Sequence, residues 1–307
     1  MKLDRVAIIT VDYASRYNIG NYHLNEVLEK RFKECKYFFL EKGFKQKPNE
    51  EYFRESDLIF INRPLRKTKH MTVEGDTYRN LNFRGYTTPV VLFDTDTSTL
   101  NMKERVKYIK SIGVNYLALG NNDYRLQEHQ EMLPDVDSFY FHFGVNTKHF
   151  RNFENRLREI PAGFIGAYRN YHYPNRKAMV ERFRHRVGDR FFWKRMIKEE
   201  YVHYLNNMKI FVTANDRHKG FFMKHLESMA CGCMLLAEYT PLFEKLGFVD
   251  GEDLVTWANL DDCEQKLLYY LTYDTPRKAI AMSGERKART FTWKSRITYL
   301  LDRISNG

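Results

Sequence analysis

The chain has 307 residues, 43% of them hydrophobic and 15% aromatic, with a formal net charge of +11. That length accommodates two domains of ordinary size with packed cores, and the absence of any run of about 20 apolar residues excludes a membrane-spanning helix. The charge excess, mostly in residues 151–307 with 27 Lys and Arg against 19 Asp and Glu, points to an anionic partner or to a generically basic surface.

The first residues, Met-Lys-Leu-Asp-Arg-Val-Ala-Ile-Ile-Thr, hold too short an apolar run for a signal peptide. They read as a strand over 5–10, and a cytoplasmic location is expected (host cytoplasm if the source is viral). Residues 11–20 form a polar and aromatic loop, after which Asn21 caps a helix to about residue 34 with Leu24, Val27, Leu28 and Phe32 on one face. Asp12, Arg16, Tyr17 and His23 in or near this first loop are candidate ligand contacts if the loop faces a cleft, or simply loop residues.

A strand over 36–40, a short helix over 49–54 and a buried strand over 57–62 follow. The next loop, Arg63-Pro-Leu-Arg66-Lys67-Thr-Lys69-His70, continues to Arg79 and Arg84 and is the densest basic segment of the N-terminal half. Arg63, Arg66, Lys67 and Lys69 suit phosphates, with salt-dependent binding, and Tyr78, Phe83 and Tyr86 suit stacking on bases; a merely solvated loop reads equally well. A strand over 88–93 ends in Asp94-Thr-Asp96, whose carboxylates point to opposite sides of an extended chain. One of them serves an acceptor hydroxyl as base or orienting group, or caps the helix over 102–112. Strands over 114–119 and 139–143 complete this half, and the boundary falls in the polar stretch 146–158.

The second half repeats the alternation: a strand over 163–168, a helix over 176–186, a strand over 191–193 and a helix over 198–207 with Tyr201, Tyr204 and Leu205 inward. The segment 208–240 is the most informative. It reads as a buried strand over 210–214, a polar loop to Gly220, a helix over 221–230 stopped by Gly232, and a second buried strand over 234–237. Lys224 and Glu227 lie three apart on one helix face. In a parallel sheet, ligands bind beyond the carboxyl ends of the strands, and a helix start there favours anions. Lys219, Lys224 and Glu227 together suit a diphosphate and a ribose diol, or form an ordinary solvated Lys/Glu face. Helices over 241–246, 260–273, 276–290 and 292–304 and a strand over 254–257 complete the chain.

Cys35, Cys231, Cys233 and Cys263 show no metal spacing and read as small buried hydrophobes in a reducing compartment. No G-x-x-x-x-G-K-[ST], G-x-G-x-x-G or H-E-x-x-H occurs, which argues against a P-loop NTPase, a dehydrogenase and a zincin.

Lys224-His-Leu-Glu227-Ser-Met-Ala-Cys-Gly-Cys resembles the nucleotide-sugar motif of GT-B glycosyltransferases of group 1, and the spore-maturation (CgeB-like) branch is the most similar. Gly163-Phe-Ile-Gly166-Ala-Tyr-Arg169 with Pro174-Asn-Arg176 resembles the family's first C-domain strand and phosphate-binding loop. Thr88-Pro-Val-Val-Leu-Phe-Asp94 resembles its N-domain strand, and His142-Phe-Gly144-Val-Asn146 its interdomain segment. The resemblance implies an α/β protein with two Rossmann-like domains facing an interdomain cleft. An acceptor domain would span 1–150, with the helix 292–304 packed back on it, and a nucleotide-sugar domain 151–291. It implies a UDP-sugar donor, a retaining outcome and no metal or other cofactor. Gly166, Arg169, Arg176, His218, Lys224, Glu227 and Thr240 would contact the nucleotide sugar, and Asp94, Asp96 and Lys219 would serve catalysis. Lys219 departs from the pattern, since many retaining relatives carry a second glutamate there. The expected acceptor is a polyanion, best matched by DNA with a hydroxymethylated base as in phage DNA modification. The alternatives are a protein or envelope glycan acceptor, or a non-catalytic nucleic-acid binder on the same scaffold.

Overall fold

The structure is a computed structural model that describes residues 3–10, 19–40, 45–62, 81–95, 101–153, 157–168, 174–215 and 219–306. The chain forms two compact units, one of residues 1–142 and 296–307, the other of 143–295.

In the first unit six strands form one sheet: β1 (Leu3–Thr10), β2 (Phe32–Phe39), β3 (Leu58–Asn62), β4 (Val90–Asp94), β5 (Tyr116–Leu119) and β6 (Asp137–Tyr140). Their order is β2-β1-β3-β4-β5-β6 and every pair is parallel. All five residues of β3 and of β4 are buried. This is why both segments read as continuous apolar runs rather than as alternating ones. The helices are α1 (Ile19–Glu29), α2 (Glu50–Arg54), α3 (Met102–Ile112) and α4 (Leu126–Met132).

Several expectations are corrected here. The first helix ends at Glu29, so Phe32 belongs to β2, where it pairs in register with Leu3; parallel pairing along β1 takes the segment that periodicity assigns to a helix. Asn21 lies inside α1 and does not cap it. The helix α4 has no counterpart in the sequence reading. The cap of α3 is Asn101, whose side chain accepts from Glu104 N at 2.9 Å, so neither aspartate is needed there. Asp96 lies outside the described residues.

Asp94 is fully buried and ion-paired with the equally buried Arg105, Nη2 to Oδ2 at 2.5 Å. Arg105 Nε donates to His129 Nε2 at 3.1 Å, and His129 Nδ1 bonds the Arg125 carbonyl at 2.7 Å. Burial first, then the neighbouring Arg105 charge, lowers the His129 pKa to about 4, so the ring is neutral, with its proton on Nδ1. Asp94 is therefore held at the end of β4 by a buried ion pair. Breaking a buried pair strands the other charge. Asp94→Ala is expected to destabilise the protein by about 3–5 kcal/mol, read by urea denaturation; a loss below about 1 kcal/mol, the range of exposed pairs, would remove this assignment.

In the second unit the strands are β7 (Ile160–Ile165), β8 (Phe191–Lys194), β9 (Met208–Thr213), β10 (Met234–Glu238) and β11 (Val255–Trp257). Their order is β11-β10-β9-β7-β8, again all parallel. The helices are α5 (Pro174–Arg186), α6 (Lys198–Asn207), α7 (Met223–Ala230), α8 (Pro241–Lys245), α9 (Leu260–Thr272) and α10 (Asp274–Ala288). The last helix, α11 (Trp293–Asn306), begins in the second unit and ends in the first. There Arg303 grips Asp137 of β6 with two hydrogen bonds, at 2.5 and 2.6 Å.

In each sheet the first strand lies between its next two, β1 between β2 and β3, β7 between β8 and β9. The crossovers leave these central strands in opposite directions, which opens a crevice at their carboxyl ends.

Candidate functional site

The crevice of the second sheet lies beyond β7 and β9. Gly166 follows β7 with φ 147°, and a Cβ there would meet Lys224 Cε and Nζ at 3.3 Å. Glycine thus provides both the backbone angle and the space that a lysine entering from α7 needs. Lys224 Nζ donates to Ile165 O at 2.9 Å and lies 4.7 Å from the centre of the Tyr201 ring. Arg176, buried near the start of α5, donates to Ala167 O at 3.3 Å and Ala214 O at 3.1 Å. It therefore straps the carboxyl ends of β7 and β9 together across the crevice, and its guanidinium lies 5.1 Å from the Phe164 ring centre.

Glu227, one turn after Lys224, is only 6% exposed, and its Oε2 accepts from the Tyr201 hydroxyl at 2.9 Å. Burial raises its pKa above the ordinary carboxylate value, opposed by the Lys224 charge and the Tyr201 bond. Lys224 is pulled the other way: loss of water lowers its pKa from 10.5 to about 8, with Glu227 opposing and Arg176 adding to the fall. Two cations and one carboxylate are thus gathered at the switch point, and the net positive charge suits an anion.

The rim is built by residues the sequence reading did not single out as ligands. Asn175 Nδ2 donates to Glu238 Oε1 at 2.7 Å, Asn215 N to Glu238 Oε2 at 2.9 Å, and Asn215 Nδ2 to Glu238 O at 2.9 Å. Glu238 at the end of β10 thereby pins the start of α5 to the loop after β9. Tyr201 was legible only as an inward helix residue, because its partner is 26 positions away. Lys219 is exposed with φ 51°, the one non-glycine residue at positive φ among those described, an angle that costs about 1–3 kcal/mol. Its carbonyl accepts from Thr240 Oγ1 at 2.5 Å, and the same oxygen caps α8 by accepting from Leu242 N at 3.3 Å. Thr240 thus shapes the loop, with its hydroxyl already engaged. His225 lies in an aromatic cage of Phe221, Phe222 and Phe243, where burial first and then Arg176 lower its pKa to about 3. Arg169 and His218 lie outside the described residues.

On the first sheet the crevice beyond β1 and β3 holds a buried amide network. Asn62 Nδ2 donates to Asn25 Oδ1 at 2.6 Å, and Asn25 Nδ2 to Thr10 Oγ1 at 3.4 Å. The network joins the last described residues before 11–18 and 63–80. Asp12, Arg16, Tyr17, Arg63, Arg66, Lys67 and Lys69 lie outside the described residues. His23 is buried and paired with Glu26 at 2.9 Å. Two of the expected stacking aromatics are elsewhere: Phe83 is 2% exposed in the core, and Tyr86 packs its ring against Phe83 and beneath Arg54. Among the described residues no three His, Cys, Asp or Glu side chains converge to hold a metal ion, and the four cysteines are free thiols.

Many solved chains share this architecture, among them the following three. The sucrose-phosphate synthase of Thermosynechococcus elongatus matches with a TM-score of 0.64 at 12% identity, covering 99% of this chain and 98% of the other. HepE of Anabaena, solved with UDP, matches with a TM-score of 0.66 at 9% identity over 99% of this chain and 100% of its own. An alpha-glucosyltransferase solved with UDP-glucose and DNA containing an abasic site matches with a TM-score of 0.67 at 9% identity over 98% and 99%. The fold is that of a GT-B glycosyltransferase. Residues 164–302, somewhat less than half of the chain, match a family described as glycosyl transferase-like. No curated protein sequence matches the chain.

The Lys224 environment generates a prediction. Between pH 8 and 10.5 the folded chain holds Lys224 neutral while the unfolded chain still binds the proton. The unfolded state then binds more protons, so stability rises with pH across this window. Thermal unfolding should show this rise relative to Lys224→Met, which lacks it; parallel Tm-against-pH curves would show that Lys224 is not dehydrated as described.

Proposed function

We propose that the protein transfers a sugar from a UDP-sugar to a hydroxyl acceptor. The observation that carries the proposal is the meeting of Lys224, Arg176 and Glu227 at the switch point of the second sheet, inside the region that matches glycosyl transferase-like sequences. HepE binds UDP, and the alpha-glucosyltransferase UDP-glucose, which supports a uridine nucleotide as donor. In this reading Lys224 and Arg176 place positive charge where the leaving diphosphate develops negative charge, Lys219 adds to it at the rim, and Glu227 takes the ribose. Gly166 lets the phosphates approach the backbone as closely as it lets Lys224. Thr240 supports the loop that carries Lys219 rather than the ligand. With these cations on the diphosphate, the reaction proceeds without a metal ion, and the proposed outcome is retaining. Asp94 has no part in the chemistry.

The acceptor we propose is a polyanion, and specifically DNA with a hydroxymethylated base. The net charge of +11 and the DNA complex of one structural neighbour support it. Loop 63–80, with Arg63, Arg66, Lys67 and Lys69, supplies the phosphate contacts, and Asp12, Arg16 and Tyr17 border the base.

Two outcomes are expected. Incubation with a panel of UDP-sugars releases UDP, unchanged by EDTA, and Lys224→Ala lowers kcat/KM by about 10²–10³-fold, the range for removing a group that stabilises transition-state charge; silence with every UDP-sugar would defeat the donor assignment. Duplex DNA shifts in native gels at low salt and is released as salt rises; no shift at low salt would defeat the DNA acceptor and leave the donor side standing.

A further inference from the structure

We infer that Tyr201 is the positioning residue for the ribose of a nucleoside diphosphate: it fixes one oxygen of Glu227 and leaves the other to receive the 2′,3′-diol. The inference rests on the reading of this crevice as a nucleotide site. Tyr201 is 5% exposed and its hydroxyl already donates to Glu227, so it acts through the carboxylate and not on a ligand. Its hydroxyl donates to Oε2 at 2.9 Å, and among the described residues no donor reaches Oε1. A carboxylate torsion is broad and roughly two-fold, so a single buried donor is enough to select one orientation.

The ring itself is held on two sides. Lys224 Nζ lies 4.7 Å from its centre, and Phe150 meets it edge-on at 5.9 Å. The same tyrosine therefore touches two of the three charged members of the site: its face supports the Lys224 ammonium and its hydroxyl the Glu227 carboxylate. The spacing between the diphosphate cation and the ribose acceptor is set by one rigid side chain.

The ionisable groups around Glu227 are few. Lys224 on its own helix and Tyr201 on α6 both favour the ionised form, and burial opposes it. Arg176 on α5 acts on Lys224. Cys231, at the end of α7, is held as the thiol by burial first and then by the neighbouring Cys233 and Glu227, with Arg158 opposing and Glu285 on α10 adding a little. An ionised Glu227 accepts from a ribose hydroxyl through Oε1, whereas a protonated one loses acceptor capacity. Ribose recognition should therefore fade as pH falls through the Glu227 titration.

The test uses the full chain and isothermal titration with UDP and with 2′-deoxy-UDP between pH 5 and 8. Tyr201→Phe keeps the ring, and with it the packing and the cation contact, and removes only the hydroxyl. It is expected to weaken UDP binding about 10-fold at neutral pH, the size of one hydrogen bond to a charged group, and to weaken 2′-deoxy-UDP less. The preference for UDP narrows, and the acid limb of binding moves to higher pH because the ionised carboxylate has lost a donor. An equal loss for both nucleotides, or an acid limb that stays in place, would overturn the inference by reducing Tyr201 to packing. Glu227→Gln is the second variant, independent of how Tyr201→Phe folds. It should lose both the preference for UDP and the acid limb, and retention of both would equally overturn it. If the unaltered protein binds neither nucleotide, the nucleotide reading itself falls; if it binds UDP and only Glu227→Gln has the expected effect, the role of Tyr201 alone falls.

Discussion

A lysine ammonium set against a backbone carbonyl organises the second unit. Lys224 reaches Ile165 O past Gly166, where a Cβ would crowd its Cε and Nζ at 3.3 Å. An isolated buried charge is costly, and three weaker attractions offset it here: the carbonyl dipole, the face of Tyr201 and the field of Glu227. They do not cancel the cost, since the pKa of Lys224 still falls to about 8. A second cation, Arg176, adds to the strain rather than relieving it. A site that holds more positive charge than it balances binds an anion more strongly than a neutral ligand of the same shape.

The two buried carboxylates show how partners decide roles. Asp94 faces an arginine at full contact and closes into a chain with Arg105 and His129. Every charge in that chain is answered from within, so it contributes rigidity and a defined end to β4. Glu227 accepts from a neutral phenol and feels its lysine only at a distance, which leaves capacity for an external donor. The sequence presented both as acidic residues near a strand end or helix start, and only the partners distinguish them.

Much of the architecture was legible from local pattern. Met102–Ile112 and Lys198–Asn207 were readable to the residue because each combines helix-forming composition with an apolar face. The second-unit alternation was readable because buried parallel strands are short unbroken apolar runs. The errors arose where tertiary pairing overrides local signal. Phe32–Cys35 has a helical spacing of apolar residues, yet β1 recruits it as a strand. Lys224 and Glu227 were visible as a pair because three residues on a helix always share a face. The Asp94–Arg105 pair and the Tyr201–Glu227 bond were not, because their partners are 11 and 26 residues distant with no fixed spacing between them. The two bonds of the Thr240 hydroxyl, to Lys219 O and from Leu242 N, were likewise not legible, because the first joins residues 21 positions apart.

The helix α11 has a consequence for how the protein is made. The second unit is an uninterrupted stretch, and its two ends are held together by pairing of Val145 with Thr292. The first unit instead needs residues from both extremes of the chain, with Arg303 clamped on Asp137 and Tyr299 against Phe139. During synthesis on the ribosome residues 1–142 thus wait for 296–307, and the second unit can close before the first is completed. The apolar side of β6 stays uncovered through that interval, the kind of transiently open sheet surface that chaperones shield.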